Sequence, residues 1–272
     1  MNFGLIIIGD EILSGKREDK HLPKVIELLA RRGLSLSWAR YAGDDRERIT
    51  ADLRDAFAGA QAHGDVVFSC GGIGATPDDH TRQCAAAALG VPLALHPQAR
   101  DLIVERMHDV AHEQGTSFDP DRPDNVHRLN MGVFPEGAQI IPNPYNKIAG
   151  FSVGRGAGGV HFVPGFPVMA WPMIEWVLDT HCAHLHRATG TLEKSVIVFG
   201  AMEAALTPLM EAVEAHHDGI KVFSLPSVDH PQWGRHIELG VKGQSARLDA
   251  AFAELLAGLN AQGAQLGPEM VR

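Results

Sequence analysis

Residues Cys70 to Thr81 read Cys-Gly-Gly-Ile-Gly-Ala-Thr-Pro-Asp-Asp-His-Thr, and the segments on either side leave little freedom in how they fold. Val66, Val67 and Phe68 make an apolar run before it, as in a buried strand, and an alanine-rich run to Leu89 after it reads as a helix. The junction is therefore a strand, a glycine loop and a helix. Gly71, Gly72 and Gly74 permit backbone angles closed to other residues, so amide groups can turn toward a ligand lying close to the bare chain. The unpaired amides and positive dipole end of the following helix favour an anion there, with phosphate the leading choice. Asp78 and Asp79 would repel a phosphate unless a divalent cation, magnesium above all, lies between them. The same residues also read as an ordinary helix start, with Asp or Thr capping the first turn. Short glycine motifs do not by themselves decide between the two.

The chain has 272 residues, enough for one large domain or two unequal ones, and a hydrophobic content of 45% supports a sizeable core. A net charge of −9 without a basic stripe argues against nucleic acid as a partner. Met1-Asn2-Phe3-Gly4 enters a strand directly, without the features of a signal peptide, and no apolar run approaches membrane-spanning length. Cys70, Cys84 and Cys182 are odd in number, widely spaced and without a metal-ligand pattern, which fits reduced thiols. The expectation is a cytoplasmic protein that binds neither membrane nor nucleic acid.

Phe3 to Ile8 is a second continuous apolar run, of the kind carried by parallel strands buried on both faces. It leads into Gly9-Asp10-Glu11-Ile12-Leu13-Ser14-Gly15, which on local sequence reads as a tight strand-to-helix turn with Asp10 or Ser14 as cap. Leu22, Val25, Ile26 and Leu29 recur at helical spacing, and Gly33 closes that segment. Leu34 to Tyr41 reads as a strand, followed by a turn in which Asp44 or Asp45 caps a helix with Ile49, Leu53, Ala56 and Phe57 on one side. Further on, Gly90 to Leu93 returns the chain, Pro97 to Gln114 is an amphipathic helix, Thr116 to Asn125 a loop, and Ile140 and Ile141 a short strand. In the loop that follows, Lys147 offers a positive charge to a phosphate or is simply exposed. Gly156-Ala157-Gly158-Gly159 turns the chain, Val160 to Val163 is a strand, and a helix runs from about Val168 to Leu185. Before that helix, Pro164 and Pro167 fix the chain and expose the backbone of Gly165. The loops after the strands ending near Ile8, Tyr41, Phe68 and Val163 hold almost all the notable residues, and in an open parallel sheet such loops meet in one crevice. His181, Cys182, His184 and His186 read as a solvated helix end rather than a zinc site, because no fixed fourth ligand accompanies them.

Gly71-Gly72-Ile73-Gly74 with Thr76-Pro77-Asp78-Asp79 and Thr81 resembles the signature of the molybdopterin-binding, or molybdenum-cofactor-biosynthesis, domain, and within it the competence/damage-inducible protein A (CinA) branch. Ala75 stands where that branch usually has proline. The resemblance implies that Asp79, with Asp78, supports magnesium and nucleotide–phosphate chemistry, and that Asp44 and Asp45 form the site's other acidic edge as metal or ligand neighbours. It implies that Gly9, Asp10, Glu11 and Ser14 reach the ligand from the first loop, as do Gly71, Gly72, Gly74, Thr76 and Thr81 from the second. Pro164-Gly165-Phe166-Pro167 matches its last conserved block. The branch usually has Asn and then Gly-Thr-Ala-Pro-Gly where this chain keeps Asn143, Ala149 and Gly150 but carries Lys147-Ile148 and no proline. An asparagine usual near the second helix is replaced by His21.

From Lys194 the order becomes strand (Ser195 to Phe199), helix (Met202 to His216), strand (Lys221 to Leu225), strand (Ile237 to Val241) and helix (Leu248 to Leu259), with Pro226 to Gly234 as a hairpin connection. The expected architecture is thus a three-layer α/β domain, 1–188, with a mostly parallel sheet, and a small α+β, ferredoxin-like domain, 189–272. Full-length CinA members continue into an amidohydrolase-type domain, whose activity is expected to be absent. The functional expectation is a Mg2+-dependent (or cobalt- or manganese-dependent) enzyme acting on a phosphate-bearing molybdopterin or nucleotide. Its reaction would be hydrolysis of a nucleotide pyrophosphate such as ADP-ribose or FAD, or adenylyl transfer; the alternative is a non-catalytic pterin- or nucleotide-binding protein. The resemblance further implies a homodimer or homotrimer.

Overall fold

Every residue of Phe3–Ile8 is buried, and this strand, β1, is an interior strand of a sheet that has helices on both faces. In the computed structural model, residues 1–155, 158–186, 192–243 and 245–271 are described, and they form two compact units, Met1–His186 and Arg187–Arg272. The expected junction between 188 and 189 lies outside the described residues, as do Gly156 and Ala157 of the expected turn.

In the first unit β1 pairs in parallel with β2 (Leu36–Ala42) and β3 (Val66–Cys70), and β3 pairs in parallel with β8 (Gly158–Val163). The sheet continues antiparallel through β7 (Gly150–Arg155) to β6 (Gln139–Ile141), giving the order β2-β1-β3-β8-β7-β6. Alternation along β1 divides the core. Ile6 and Ile8 pack with Leu53 and Phe57 of α3 (Arg46–His63) and Cys84 of α4 (Thr81–Leu89). Phe3, Leu5 and Ile7 pack with Val25 and Leu28 of α2 (His21–Ala30) and Met173 and Val177 of α7 (Pro167–Thr180). Each fully buried side chain of this size contributes about 1.5–3 kcal/mol, so both layers are held by the same interior strand. The three-layer, mainly parallel α/β expectation is what the chain adopts.

Between β1 and α2 lies one helical turn, α1 (Asp10–Leu13), without a side-chain cap. The Asp45 carboxylate caps α3 by accepting from the Arg48 amide at 2.7 Å, and Gly64 ends that helix in the left-handed conformation. After α4, a two-stranded ribbon of β4 (Leu93–Leu95) and β5 (Val133–Pro135) brackets α5 (Pro97–Glu113) and α6 (Pro123–Arg128). Part of the expected 116–125 loop is therefore helical: Pro123 sits in the first helical turn, where its missing amide is no loss. The helix expected to reach Leu185 stops at Thr180, and a short 3-10 turn spans Ala183–Leu185.

In the second unit β9 (Leu192–Phe199), α8 (Glu203–His216), β10 (Lys221–His230), β11 (Gly234–Gly243), α9 (Ser245–Ala261) and β12 (Gln265–Val271) form an antiparallel sheet ordered β10-β11-β9-β12. This is ferredoxin-like β-α-β-β-α-β topology. The segment from Pro226, expected as a hairpin connection, instead continues β10 to His230, and β12 was not expected at all. Pro226 and Pro268 are both on edge strands, where a missing amide donor breaks no ladder, and a register irregularity between Leu266 and Glu269 accommodates Gly267-Pro268. Among the described residues no helix is long and apolar enough to cross a membrane.

His161 on β8 is buried in the first unit opposite Ser152 of β7, whose hydroxyl lies 2.8 Å from its Nδ1. Burial, assisted by the neighbouring His181, pushes its pKa down from 6.5 to about 3. The unfolded chain therefore binds more protons than the folded one between these values. Stability from this group is full above pH 6.5 and falls as pH drops toward 3, at up to roughly 1.4 kcal/mol per pH unit. Urea midpoints measured from pH 8 to pH 4 should decline for the wild type, and His161→Gln should flatten that decline; equal slopes would remove His161 as its cause.

Candidate functional site

Beyond the carboxyl ends of β1, β3 and β8 the chain encloses a cleft of about 450 Å³. Gly71 enters it with φ +106, and a Cβ here would lie 2.3 Å from the carbonyl oxygen of Ile8, so the loop after β3 crosses the end of β1 at bare-backbone distance. Gly72 has φ +69 and leaves room for Thr81, whose hydroxyl donates to the Gly71 carbonyl at 3.0 Å. From behind, the buried Arg82 guanidinium donates to the carbonyls of Ile73 at 3.0 Å and Gly74 at 2.7 Å, and burial pulls its pKa down. A charged group spent on two carbonyls is a strong clamp for a loop of this composition.

The Asp79 carboxylate accepts from the amide of Thr76 at 2.8 Å and from its hydroxyl at 2.5 Å. Gly74 gives it space, since a Cβ there would stand 2.6 Å from Asp79 Oδ2. Glu11, Asp44 and Asp78 share the cleft wall with Asp79, facing a single cation, Arg17. Asp44 and Asp10 tie their loops together: each amide donates to the other's carboxylate, at 3.0 and 3.1 Å. Burial, reinforced by the charges of Asp10, Glu11 and Asp78, raises the pKa of Asp44. Among the described residues no three His, Cys, Asp or Glu side chains are grouped to hold a metal ion alone. Magnesium typically takes one or two carboxylates and completes its shell with water and substrate phosphate, so this donor set fits it only together with a phosphate-bearing ligand.

A second recess of about 510 Å³ shares Ala75, Thr76 and Asp79 with the cleft and has the opposite charge. Arg46, His80, Arg82 and His127 line it, and so does the start of α4, which no side chain caps. The Arg46 guanidinium lies 3.1 Å from His80 Nδ1, and His127 Nε2 lies 3.1 Å from the Ala75 carbonyl. Asp79 thus stands on the seam between an acidic cleft and a cationic recess.

Of the candidates, Gly9, Glu11, Asp44, Gly71, Gly72, Gly74, Thr76, Asp78, Asp79, Pro164 and Gly165 are brought together in the wall of the cleft. The remaining candidates lie outside its wall. Asp10 supports Asp44, Ser14 is exposed, Asp45 caps α3, and Thr81 is fully buried under the glycine loop. Buried Asn143 holds its own loop, donating to Asn146 Oδ1 and the Ile148 carbonyl and accepting from the Tyr145 amide. Lys147 is not placed toward a phosphate: its ammonium sits 2.6 Å from both Glu105 and Asp109, which raise its pKa. Gly150 is a packing position, where a Cβ would meet the Phe162 carbonyl at 2.3 Å. Arg17, Asn146, Ile148 and Phe166 line the cleft without having been singled out as site residues, although Arg17 with Lys16 directly follows the acidic loop and Phe166 lies inside Pro-Gly-x-Pro.

Residues 4–184 match the family model described as probable molybdopterin binding domain. Relatives named CinA-like protein include one from Anaeromyxobacter dehalogenans strain 2CP-1, 32% identical over 214 residues, and one from Geotalea uraniireducens strain Rf4, 28% identical over 257. Those alignments cover 78% and 94% of this chain but 49% and 56% of the relatives, so the chain spans about half the length of the curated relatives it matches. The crystal structure of CinA from Thermoplasma acidophilum, described as of unknown function, matches with a TM-score of 0.55 and 23% identity over 66% of this chain and 98% of that one. That likeness concerns the fold.

Two glycine substitutions separate scaffold from site. Gly71→Ala should destabilise the protein by at least about 2 kcal/mol, through left-handed strain and a clash with backbone that cannot move aside. Gly74→Ala meets only the end of the Asp79 side chain, so it should cost about 1 kcal/mol or less while displacing that carboxylate from Thr76. Urea unfolding of both variants checks this, and equal losses would mean that Gly74 is also structural.

Proposed function

The chain belongs to the probable molybdopterin-binding domain family, and from that membership and the two charged recesses we propose that it binds a phosphate-bearing pterin or nucleotide with a divalent cation and cleaves or transfers a nucleotidyl group. The observation that carries this reading is the position of Asp79, oriented by Thr76 on the seam between carboxylates and cations. One or two of the carboxylates Asp79, Asp78 and Asp44 would hold the cation, with water and the ligand's phosphate completing its shell, and the cation would offset negative charge on the phosphate oxygens. The chain's own groups do the rest. Amides of the glycine loop orient one phosphate, while Arg46 and His80 face a second negative group in the cationic recess. The Thr76 bonds keep the Asp79 carboxylate aimed, so no reorganisation is needed as charge develops. A pyrophosphate linkage suits a site whose complementary halves adjoin. In hydrolysis the nucleophile is water; in adenylyl transfer it is a pterin phosphate. The cytoplasm is where such ligands occur.

One observation favours a second reading, a non-catalytic pterin- or nucleotide-binding protein: the loop that departs from the family pattern at Lys147-Ile148 turns its cation away to Glu105 and Asp109. Turnover separates the two. The protein with Mg2+, Co2+ or Mn2+ should release AMP from ADP-ribose or FAD, or transfer it from ATP to molybdopterin. Asp79→Asn should lower that rate by about 100-fold or more, in line with loss of a transition-state electrostatic contact. Metal-dependent turnover that survives Asp79→Asn would remove the assigned role, and binding without turnover by the wild type would establish the second reading.

A further inference from the structure

We propose that Phe166 is a stacking platform for a flat heteroaromatic ring, making the cleft select ring-bearing phosphates over ring-free ones. The inference rests on the phosphate-ligand reading above and deepens it. Phe166 is 54% exposed, yet it lines the same cleft as Asp79 and the glycine loop. A phenyl exposed to this extent forgoes about half of the roughly 1.5–3 kcal/mol that its burial would contribute, so a large apolar face at the mouth of a charged cleft points to a partner for that face.

Its placement is fixed from below. His21, 4% exposed, bonds through Nε2 to the Gly165 carbonyl at 3.0 Å, and the flanking Pro164 and Pro167 restrict the backbone on both sides. Phe166 itself takes an extended conformation immediately before α7. Above the ring stands Arg17, whose guanidinium carbon is 5.7 Å from the ring centroid and whose side chain is 61% exposed, with Glu11 4.0 Å away. A planar ring between phenyl and guanidinium needs about 7 Å, twice a contact distance of about 3.5 Å, so a small swing of the exposed Arg17 admits one. The ring would then lie between two π-complementary planes, with a carboxylate edge at Glu11 for its N–H donors. Stacking of this kind is sequence-tolerant and suits either a purine or a pterin.

Isothermal titration in Mg2+ of AMP, neopterin phosphate and ribose 5-phosphate against the wild type, Phe166→Ala, Phe166→Leu and Phe166→Trp tests the assignment. Phe166→Ala and Phe166→Leu should weaken at least one ring-bearing ligand about tenfold or more, leave ribose 5-phosphate within about twofold, and keep the elution volume of the wild type. Phe166→Trp should retain wild-type affinity, and whichever ring suffers in the Ala variant identifies the source. Unchanged ring-ligand affinity in Phe166→Ala overturns the proposal, as does an equal loss of all three ligands, or an altered oligomeric state without ring-selective loss. A wild type that binds none of the three would instead overturn the phosphate-ligand reading, and the platform with it.

Discussion

The crossing of Gly71 over the Ile8 carbonyl is the contact on which the site depends. It brings the loops after two neighbouring parallel strands to a separation at which no side chain can intervene. The polypeptide then needs its exposed carbonyls satisfied, and it does this with groups that have no other employment: the Thr81 hydroxyl on Gly71 and the buried Arg82 guanidinium on Ile73 and Gly74. Arg82 is buried with carbonyls as its hydrogen-bond acceptors and has the Asp79 charge as its electrostatic partner, so its own charge stands a short distance behind the loop. The clamp therefore also sets a positive background for whatever anion the loop amides face.

On the proposed reading, that background is what would let so acidic a cleft take a phosphate. The carboxylates Glu11, Asp44 and Asp78 lie on one side of Asp79 and the guanidinium groups of Arg46 and Arg82, with the His80 imidazole, on the other. The raised pKa of Asp44 is the mark of the strain, because partial burial among like charges is unfavourable to the folded apo state. On the proposed reading a divalent cation would relieve it and an anion would enter beside the cation. Affinity for the two would then be coupled, each reducing the electrostatic cost of the other.

The layers were legible in the sequence because two-face burial forces β1 and β3 to be continuously apolar, and the crevice was legible because parallel strand ends gather their loops. Misplaced residues share one physical reason. Asp45, Thr81 and Asn143 are polar groups of the right chemistry for a ligand, and the same chemistry satisfies loose backbone amides and carbonyls, as they do here. Composition does not distinguish the two uses. Edge strands were hidden for a related reason: Pro226 and Pro268 signal a break to a reader of local sequence but cost nothing on the rim of a sheet.

Lys147 shows how the wall of the cleft has been altered. Its φ of +64 is left-handed, at the place where the CinA-type pattern carries glycine, and a lysine there costs about 1–2 kcal/mol. Its amide bonds the Asn143 carbonyl at 3.0 Å, and its ammonium spans Glu105 and Asp109 on α5, contacts that offset part of that cost. The geometry of the glycine is kept while the side chain is drawn away toward α5. What the loop presents to the cleft instead is Asn146, Ile148 and Ala149, an uncharged wall opposite the acidic loop. On the proposed reading a phosphate in the cleft would be held by backbone amides, Arg17 and a cation, so the lysine leaves the charge balance of the site on the Gly71–Asp79 loop, and the neutral wall would be free to shape what the phosphate is attached to.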